Sequence, residues 1–308
     1  MTLKQLRCLC EVVQQGLNLS RAARTLHTSQ PAITKMVRAL ESELGVQLLV
    51  RVGARIVSLT EEGEDVVTFA RQVLQDVHDL RLAASDSKDA GKGTLRIGTT
   101  NLQARYALID VIRRFVQKYP DVDLTLCQGT PAEIARWVSD GEVDIGISTV
   151  AQALPRNILK LEAYEIHRCI AVPRGHPLSK MKRPTLAQLA RYRLIAHDNQ
   201  LATGAVVRKA FEAANITPRI TLQTADADLL KSYVKAGLGV AVIQKMAIDP
   251  KEDRALHIID AGYLFASSTA WITVRRDQYL RRYMYDFIAL VAPRWARGEI
   301  DQERIQRV

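Results

Sequence analysis

Residues 18–45 carry the pattern that most constrains the fold, because it specifies two short helices joined by a tight polar turn. Asn18 is a natural N-cap for the first helix, whose inward face carries paired alanines that let a second helix approach closely. Ser29 is an N-cap for the second helix, and Pro31 falls in its first turn. Apolar residues then recur at helical spacing until Gly45, a typical helix end. The pattern predicts a helix-turn-helix.

The polar face of the second helix begins with hydroxyl and amide side chains and continues with two cations. Hydroxyls and an amide suit base edges in the major groove, while cations displace counterions from phosphates. The residues predicted to contact DNA from the turn and this helix are Thr28, Ser29, Gln30, Pro31, Thr34, Lys35 and Arg38. An amphipathic hairpin with a solvated polar face is the alternative. Residues 1–60 favour DNA, because they contain eight lysines and arginines against three glutamates.

Two short strand-like runs follow, Gln47–Arg51 and Arg55–Leu59, on either side of a Val-Gly-Ala turn. They predict a β-hairpin wing. Arg51 and Arg55 stand near its tip, where we expect them to reach a phosphate or a minor groove. The sequence therefore predicts a winged helix-turn-helix DNA-binding domain over residues 1–60.

A long amphipathic helix is predicted from Glu61 to about Ser85, with Thr60 as its N-cap. Its broad apolar stripe has no large domain of its own to pack against, which favours dimerisation. An ordinary helix that covers the next domain is the alternative. The segment SDSKDAGKG after it is typical of a flexible linker. Residues 61–93 are thus expected to form a dimerisation helix and a hinge.

From Thr94 onward, strand-like and helix-like segments alternate, which predicts an α/β domain with mostly parallel sheets. The first strand ends at Thr99, and a single helix is predicted over 103–118. One α/β unit is complete by about residue 160, and a second unit follows it. A late strand near 269–275 and a final helix complete the chain.

Composition excludes several classes of protein. No run of 18 apolar residues is present and the N-terminus lacks a signal peptide, so we expect a cytoplasmic protein with no membrane contact. The four cysteines are too few and too scattered for a disulfide framework, and no zinc spacing occurs, so no metal or cofactor is expected. No nucleophile elbow, P-loop or dinucleotide-binding glycine pattern is present, which argues against an enzyme. The net charge of +10 fits an anionic partner.

The chain resembles the LysR-type transcriptional regulators over essentially all 308 residues. TSQPAITKMVRALESELG at 28–45 marks that superfamily. Within it, the chain is most similar to the CysB group, regulators of sulfur assimilation. Three segments carry this closer resemblance: TTNLQARYAL at 99–108, TADADLLKSYVKAGLGVAVIQKMAIDP at 224–250 and YLRRYMYDFI at 279–288.

The resemblance implies that residues 94–308 form a two-lobed effector-binding domain like a periplasmic binding protein. The chain crosses between the lobes twice, and the ligand sits in the cleft. Lobe I is expected over about 94–162 and 268–293, and lobe II over about 163–267. The resemblance also implies a homodimer or homotetramer that binds double-stranded promoter DNA and contacts RNA polymerase.

Several threonines stand at predicted strand ends or helix starts, where hydroxyls and unpaired backbone N–H groups favour a small anion. These are Thr99, Thr100, Thr149, Thr203 and Thr224. Helix capping alone would explain each of them separately. The CysB group binds sulfate or an acylated serine, and the resemblance implies effector contacts from the matching residues. Those residues are Thr100, Gln103, Thr149 and Thr203.

Leu102 departs from the CysB pattern, in which a hydroxyl residue stands between the matching threonine and glutamine. Leucine cannot form that hydrogen bond, and one lost donor in a buried anion contact typically costs roughly 1 to 3 kcal/mol. We therefore expect an effector of the class of sulfate, thiosulfate, O-acetylserine or N-acetylserine, with the preferred member open. A LysR-type regulator of another pathway, or a metabolite-sensing protein without DNA contact, is the alternative.

Overall fold

The chain folds as two units, each with its own hydrophobic core. One unit comprises Met1–Ala90 with Asp277–Arg281, and the other comprises Gly91–Arg276 with Arg282–Val308. The computed structural model describes residues 1–53, 55–85, 91–149, 154–198 and 201–305. Most of the predicted hinge, and Ala54 in the predicted wing, therefore lie outside the described residues.

The N-terminal unit is a set of helices followed by a hairpin and a long helix. In the described residues it consists of α1 Leu3–Gln14, α2 Leu19–Thr25, α3 Gln30–Leu44, β1 Leu49–Val52, β2 Arg55–Leu59 and α4 Glu61–Ser85. The predicted caps are confirmed, because Asn18 Oδ1 accepts the N–H of Arg21 at 3.0 Å. Ser29 Oγ accepts the N–H of Ala32 at 3.3 Å. Gly45 ends α3 with a φ of 73°, a left-handed conformation that suits glycine.

The two helices of the predicted helix-turn-helix pack through small side chains. Ala22 and Ala23 of α2 are buried in one core with Ile33 and Leu40 of α3. The first half of α4 adds Val67 to the same core. Because an alanine pair leaves little between two helices, α3 lies close against α2 with its polar face outward. The helix-turn-helix is confirmed.

The hairpin is held to α3 by one buried carboxylate. Glu41, 3% exposed, accepts the backbone N–H groups of Leu48 at 3.0 Å and Leu49 at 3.3 Å. The Arg51 guanidinium donates to both of its oxygens, at 3.1 and 2.9 Å. Burial alone would raise the pKa of Glu41, but these hydrogen bonds lower it. The residue therefore stays ionised and fixes the first strand of the wing against α3.

The start of α4 is fixed to the same strand. A side chain at Gly63 would place its Cβ 2.1 Å from the Leu48 carbonyl oxygen, so only glycine allows this approach. Thr60 Oγ1 accepts the Gly63 N–H at 2.9 Å and donates to the Gln47 carbonyl at 2.7 Å. The predicted N-cap of the long helix is thus confirmed.

The second unit contains two five-stranded sheets. Its described elements are β3 Gly93–Thr99, α5 Asn101–Tyr106, α6 Ile109–Lys118, β4 Val122–Gln128, α7 Pro131–Ser139, β5 Ile145–Thr149, β6 Ile158–Ile166, β7 Arg168–Pro173, α8 Leu186–Leu189, β8 Leu194–His197, α9 Ala202–Ala213, β9 Ile220–Thr224, α10 Ala227–Lys235, β10 Val240–Gln244, β11 Leu256–Asp260, β12 Ser268–Arg275, α11 Arg282–Val291 and α12 Arg297–Ile305. The strand order is β4-β3-β5-β12-β6 in the sheet of lobe I and β11-β7-β10-β8-β9 in that of lobe II.

The expectation of mostly parallel sheets is wrong. Strands β3, β4 and β5 pair in parallel, but β12 runs antiparallel to both β5 and β6. In lobe II, β8 pairs in parallel with β9 and β10, whereas β7 is antiparallel to β10 and β11. The antiparallel pairs flank the two passages between the lobes, because β6 leads into β7 and β12 brings the chain back. Strand β6 was absent from the sequence prediction.

The single helix predicted over 103–118 is also wrong, because the chain breaks between α5 and α6. The N–H groups of Ala107 and Leu108 both bond to the Gln103 carbonyl, at 3.0 Å, which closes α5. Leu108 is fully buried, so its packing outweighs continuous helix formation. The break makes α5 a short separate element.

Replacement of Glu41 by alanine should loosen the first wing strand. Loss of a charged acceptor shared by two buried amides predicts roughly 10- to 100-fold faster hydrogen exchange at Leu48 and Leu49. Exchange mass spectrometry of the full-length chain measures this directly. Glu43→Ala removes an exposed carboxylate from the same helix and serves as the control. Equal exchange in the two variants would contradict the role given to Glu41.

Candidate functional site

The exposed face of α3 holds most residues of the predicted DNA-contacting set. Gln30, Lys35 and Arg38 are exposed, as is Pro31 at the start of the helix. Thr34 is half-buried and donates its hydroxyl to the Gln30 carbonyl at 3.1 Å, which leaves the oxygen free to accept. The helix thus presents an amide and two exposed cations to solvent.

The turn before α3 contributes less. Ser29 is exposed, but its oxygen accepts the cap hydrogen bond described above. Thr28 is half-buried. Gln30 Oε1 accepts the Ser20 hydroxyl at 3.2 Å, so a residue of α2 orients this amide.

The two arginines predicted at the wing have different environments. Arg55 is exposed at the start of β2, opposite Val52. Arg51 instead pairs with Glu41 and is only 24% exposed. Its guanidinium is therefore paired within the unit. A phosphate contact was predicted for it from the sequence because its buried partner, Glu41, lies ten residues away on α3. Among the described residues of the hairpin, Arg55 is the arginine that is exposed to solvent.

The outer side of α4 carries exposed apolar residues. Phe69, Val73 and Leu80 are 67, 39 and 71% exposed, and their spacing places them on one face of the helix. Val67 and Ala70, on the other side, pack into the core of the unit. The helix thus has a second apolar face that its own unit leaves uncovered.

A cavity of about 400 Å³ lies in the second unit between its two sheets. Lobe I contributes the start of α5, the turn before α7 and the end of β5. Lobe II contributes the start of β7, the ends of β8 and β10, and the starts of α9 and α10. The predicted effector residues that line it are Thr100, Leu102, Gln103, Thr149 and Thr203.

Two predicted effector residues do not line the cavity. Thr99 is fully buried, because side chains alternate along β3 and its own points away from the cavity-lining Thr100. Thr224 Oγ1 accepts the N–H of Asp226 at 3.2 Å, so it shapes the turn before α10. The position of Thr224 is therefore explained by its structural role in this turn, without an effector contact.

A buried hydrogen-bond chain forms one wall of the cavity. Gln244 Nε2 donates to Thr203 Oγ1 at 2.8 Å, and Gln244 Oε1 lies 3.0 Å from His197 Nε2. Burial lowers the pKa of His197 to about 4, so this imidazole is neutral at physiological pH and donates through Nε2. Sequence reasoning missed both His197 and Gln244. Each ends an apolar strand, which is the signal that was available.

Arg168 is the most deeply buried cation of the cavity wall. It is fully buried at the first position of β7, and its guanidinium donates to the Ala266 carbonyl and, at 2.5 Å, to Ser268 Oγ. Its Nε has no partner among the described residues. Burial lowers the pKa of Arg168 to about 10, which leaves it charged at neutral pH.

Polar contacts join the two lobes beside the cavity. Arg105 and Tyr106 of α5 both bind Asp228 of α10, the arginine at 2.7 Å. Asn101 Nδ2 donates to Asp226 at 3.3 Å. The Tyr106 hydroxyl thus spans the cleft between the lobes. Since α5 also carries Thr100 and Gln103, one short helix contacts both the cavity and the opposite lobe.

The described part of the chain holds neither a metal-binding cluster nor a membrane-spanning helix. No group of three or more His, Cys, Asp or Glu side chains there is arranged to hold a metal ion. None of the helices found there combines the length and the apolar character that a membrane span needs.

Comparison with known proteins identifies relatives of both units. The family model "Bacterial regulatory helix-turn-helix protein, lysR family" matches residues 3–64, and "LysR substrate binding domain" matches residues 88–296. The chain is 39% identical to the HTH-type transcriptional regulator SsuR of Burkholderia cenocepacia, with 97% of each protein covered. It is 39% identical to the HTH-type transcriptional regulator CysB of Haemophilus influenzae, with 99% of this chain and 95% of that protein covered.

A solved structure supports the same assignment for the second unit. The cofactor-binding domain of the Cbl transcriptional regulator superposes with a TM-score of 0.66 at 31% identity, over 70% of this chain and 94% of that chain. The relatives are transcriptional regulators rather than enzymes, as predicted. The two family models together match residues in both units of the chain. The chain belongs to the LysR family of transcriptional regulators.

Proposed function

We propose that this LysR-type regulator controls genes of sulfur assimilation or of sulfate and sulfonate utilisation, in response to a small anionic effector bound between the lobes. The observation that carries the proposal is the convergence of Thr100, Gln103, Thr149 and Thr203 from two sheets on one cavity. The resemblance to the CysB group supplies the pathway. Because these residues lie in both lobes, one bound ligand would contact lobe I and lobe II at once.

The chemistry of the cavity favours an effector that both accepts and donates hydrogen bonds. Threonine hydroxyls can donate to an anion. The Gln103 side chain is buried, and its Oε1 has no partner among the described residues. A buried acceptor is costly unless a donor reaches it. The amide of N-acetylserine or the ammonium of O-acetylserine would supply one, whereas sulfate would not.

The DNA-binding proposal rests on the exposed face of α3. Family members bind DNA and small-molecule effectors and form oligomers. We assign base or phosphate contacts to Thr28, Ser29, Gln30, Pro31, Thr34, Lys35, Arg38 and Arg55, and a structural role to Arg51. Pairing of two α4 helices through their uncovered apolar faces would present two α3 helices to the half-sites of an imperfect palindrome.

The regulatory step in this proposal is a change of lobe or subunit geometry on effector binding, in a dimer or a tetramer. Such coupling requires that the effector binds two arrangements with different affinity. The contacts of α5 with Asp226 and Asp228 offer the physical link, because the same helix lines the cavity. Altered DNA bending and altered contact with RNA polymerase in the cytoplasm would follow.

Calorimetry with sulfate, thiosulfate, O-acetylserine and N-acetylserine tests the effector class. At least one should bind, and Thr149→Val should weaken it roughly 5- to 100-fold, because one buried hydrogen bond to a charged or polar ligand is lost. Thr125→Val, an exposed threonine on β4 outside the cavity lining, is the matched control. Failure of all four compounds to bind the full-length chain would remove the effector class, though not DNA binding.

Substitution of Leu102 by threonine should change the ligand preference. The new hydroxyl restores a hydrogen-bonding group beside Thr100 and Gln103, so sulfate affinity should rise by about tenfold. The ratio of sulfate to N-acetylserine affinity, measured for both proteins, gives the result. An unchanged ratio would show that position 102 has no part in selecting the ligand.

Two α3 variants should separate phosphate contact from base contact. Arg38→Ala should weaken binding on specific and random DNA alike and reduce the salt slope by about one per lost phosphate contact. Gln30→Ala should cost about 1 to 3 kcal/mol on the specific site and little on random DNA. Binding titrations at several salt concentrations measure both, with the exposed Arg113→Ala as control. Equal losses on both DNAs for both variants would contradict these roles.

A further inference from the structure

The position of Arg168 ties it to both passages of the chain between the lobes. It stands two residues after the end of β6, at the point where the chain enters lobe II. Its guanidinium binds Ala266 and Ser268, which lie where the chain returns to lobe I. Arg168 is also among the residues that line the cavity. A full positive charge is thus held at the junction of the lobes, on the wall of the ligand site.

The polypeptide leaves this charge unbalanced. Among the described residues, the guanidinium contacts only carbonyl and hydroxyl oxygens, and no carboxylate pairs with it. A buried ion without a counter-ion is costly, because neutral acceptors replace water incompletely. Nearby His197 is a neutral imidazole, so it does not balance the charge of Arg168.

The three carboxylates of the cavity lining are all engaged elsewhere. Glu133 accepts the backbone N–H and the hydroxyl of Thr130, both at 2.8 Å. Asp226 caps α10 by accepting two backbone N–H groups, at 2.8 and 3.0 Å. Asp228 binds Arg105 at 2.7 Å and Lys231 at 3.0 Å. None of these pairs with Arg168, so among the described residues its guanidinium has no carboxylate partner on the cavity wall.

We propose that Arg168 is the residue that selects an anionic effector, by balancing the ligand's negative group with its own buried charge. The inference rests on the proposed function and adds a specific residue to it. Threonine and glutamine side chains bind neutral polar ligands as well as anions. A fixed buried cation adds to the cavity a preference for a negative group over its neutral isostere.

The test uses a charged ligand and its neutral counterpart. N-acetylserine carries a carboxylate, and N-acetylserinamide replaces that group by an amide of similar size. The full-length protein should bind N-acetylserine at least about 30-fold more tightly, as expected for one buried charge pair. Equal affinity for the two compounds would overturn the proposal without any variant.

Variants then assign the preference to this residue. Arg168→Gln retains hydrogen-bond donors for Ala266 and Ser268 but removes the charge, so the preference should fall to within about threefold. Arg168→Lys keeps the charge and should keep most of the preference. Arg96→Met, which removes a half-buried arginine paired with Asp144 at 2.8 Å outside the cavity lining, is the control.

The outcomes separate the two proposals. If the unaltered protein binds N-acetylserine and Arg168→Gln keeps the same preference for it, the role of Arg168 is overturned and the effector class stands. If the unaltered protein binds none of sulfate, thiosulfate, O-acetylserine or N-acetylserine, both the effector class and the role of Arg168 are overturned. Loss of the preference in Arg168→Gln but not in Arg96→Met is the expected result.

Discussion

A positive charge held away from water at the junction of two lobes is the interaction on which the effector-binding unit depends. Arg168 holds the returning chain through Ala266 and Ser268, and it faces a cavity whose carboxylates are committed to other partners. In the proposed function, a bound anion balances this charge. Hydroxyl and amide groups from both lobes surround the same space, so the bound group would hold together two sheets that the chain joins by two short passages.

The DNA-binding unit depends on a buried charge of the opposite sign. Glu41 lies in α3, yet its oxygens are used by backbone amides and an arginine of the wing. These hydrogen bonds fix the first strand of the hairpin to the helix. Small alanines under α3 and the glycine contact at the start of α4 complete this arrangement. A rigid support costs little entropy on binding, which suits a surface that must match DNA.

Local signals explain why the N-terminal unit was predictable. Caps at Asn18 and Ser29 and the glycine at position 45 act within a few residues, so spacing alone places them. The strands of the second unit were mostly found, but their directions were not, because pairing depends on which strands meet after the chain changes lobes. The threonines of the cavity were predicted from their positions at strand ends and helix starts and from the family resemblance. His197, Gln244 and Arg168 were missed because their roles arise only from tertiary contacts with distant segments.

In the proposed mechanism, an anion in the cavity changes how the protein binds DNA. The most direct measurement is the affinity of the full-length chain for N-acetylserine, determined by calorimetry with and without a saturating genomic fragment selected for tight binding. Linkage requires the effector to change DNA affinity by the same factor as DNA changes effector affinity. We expect the two affinity changes to be equal, and each to be at least about fivefold. Effector binding that is measurable yet identical with and without the fragment would contradict it.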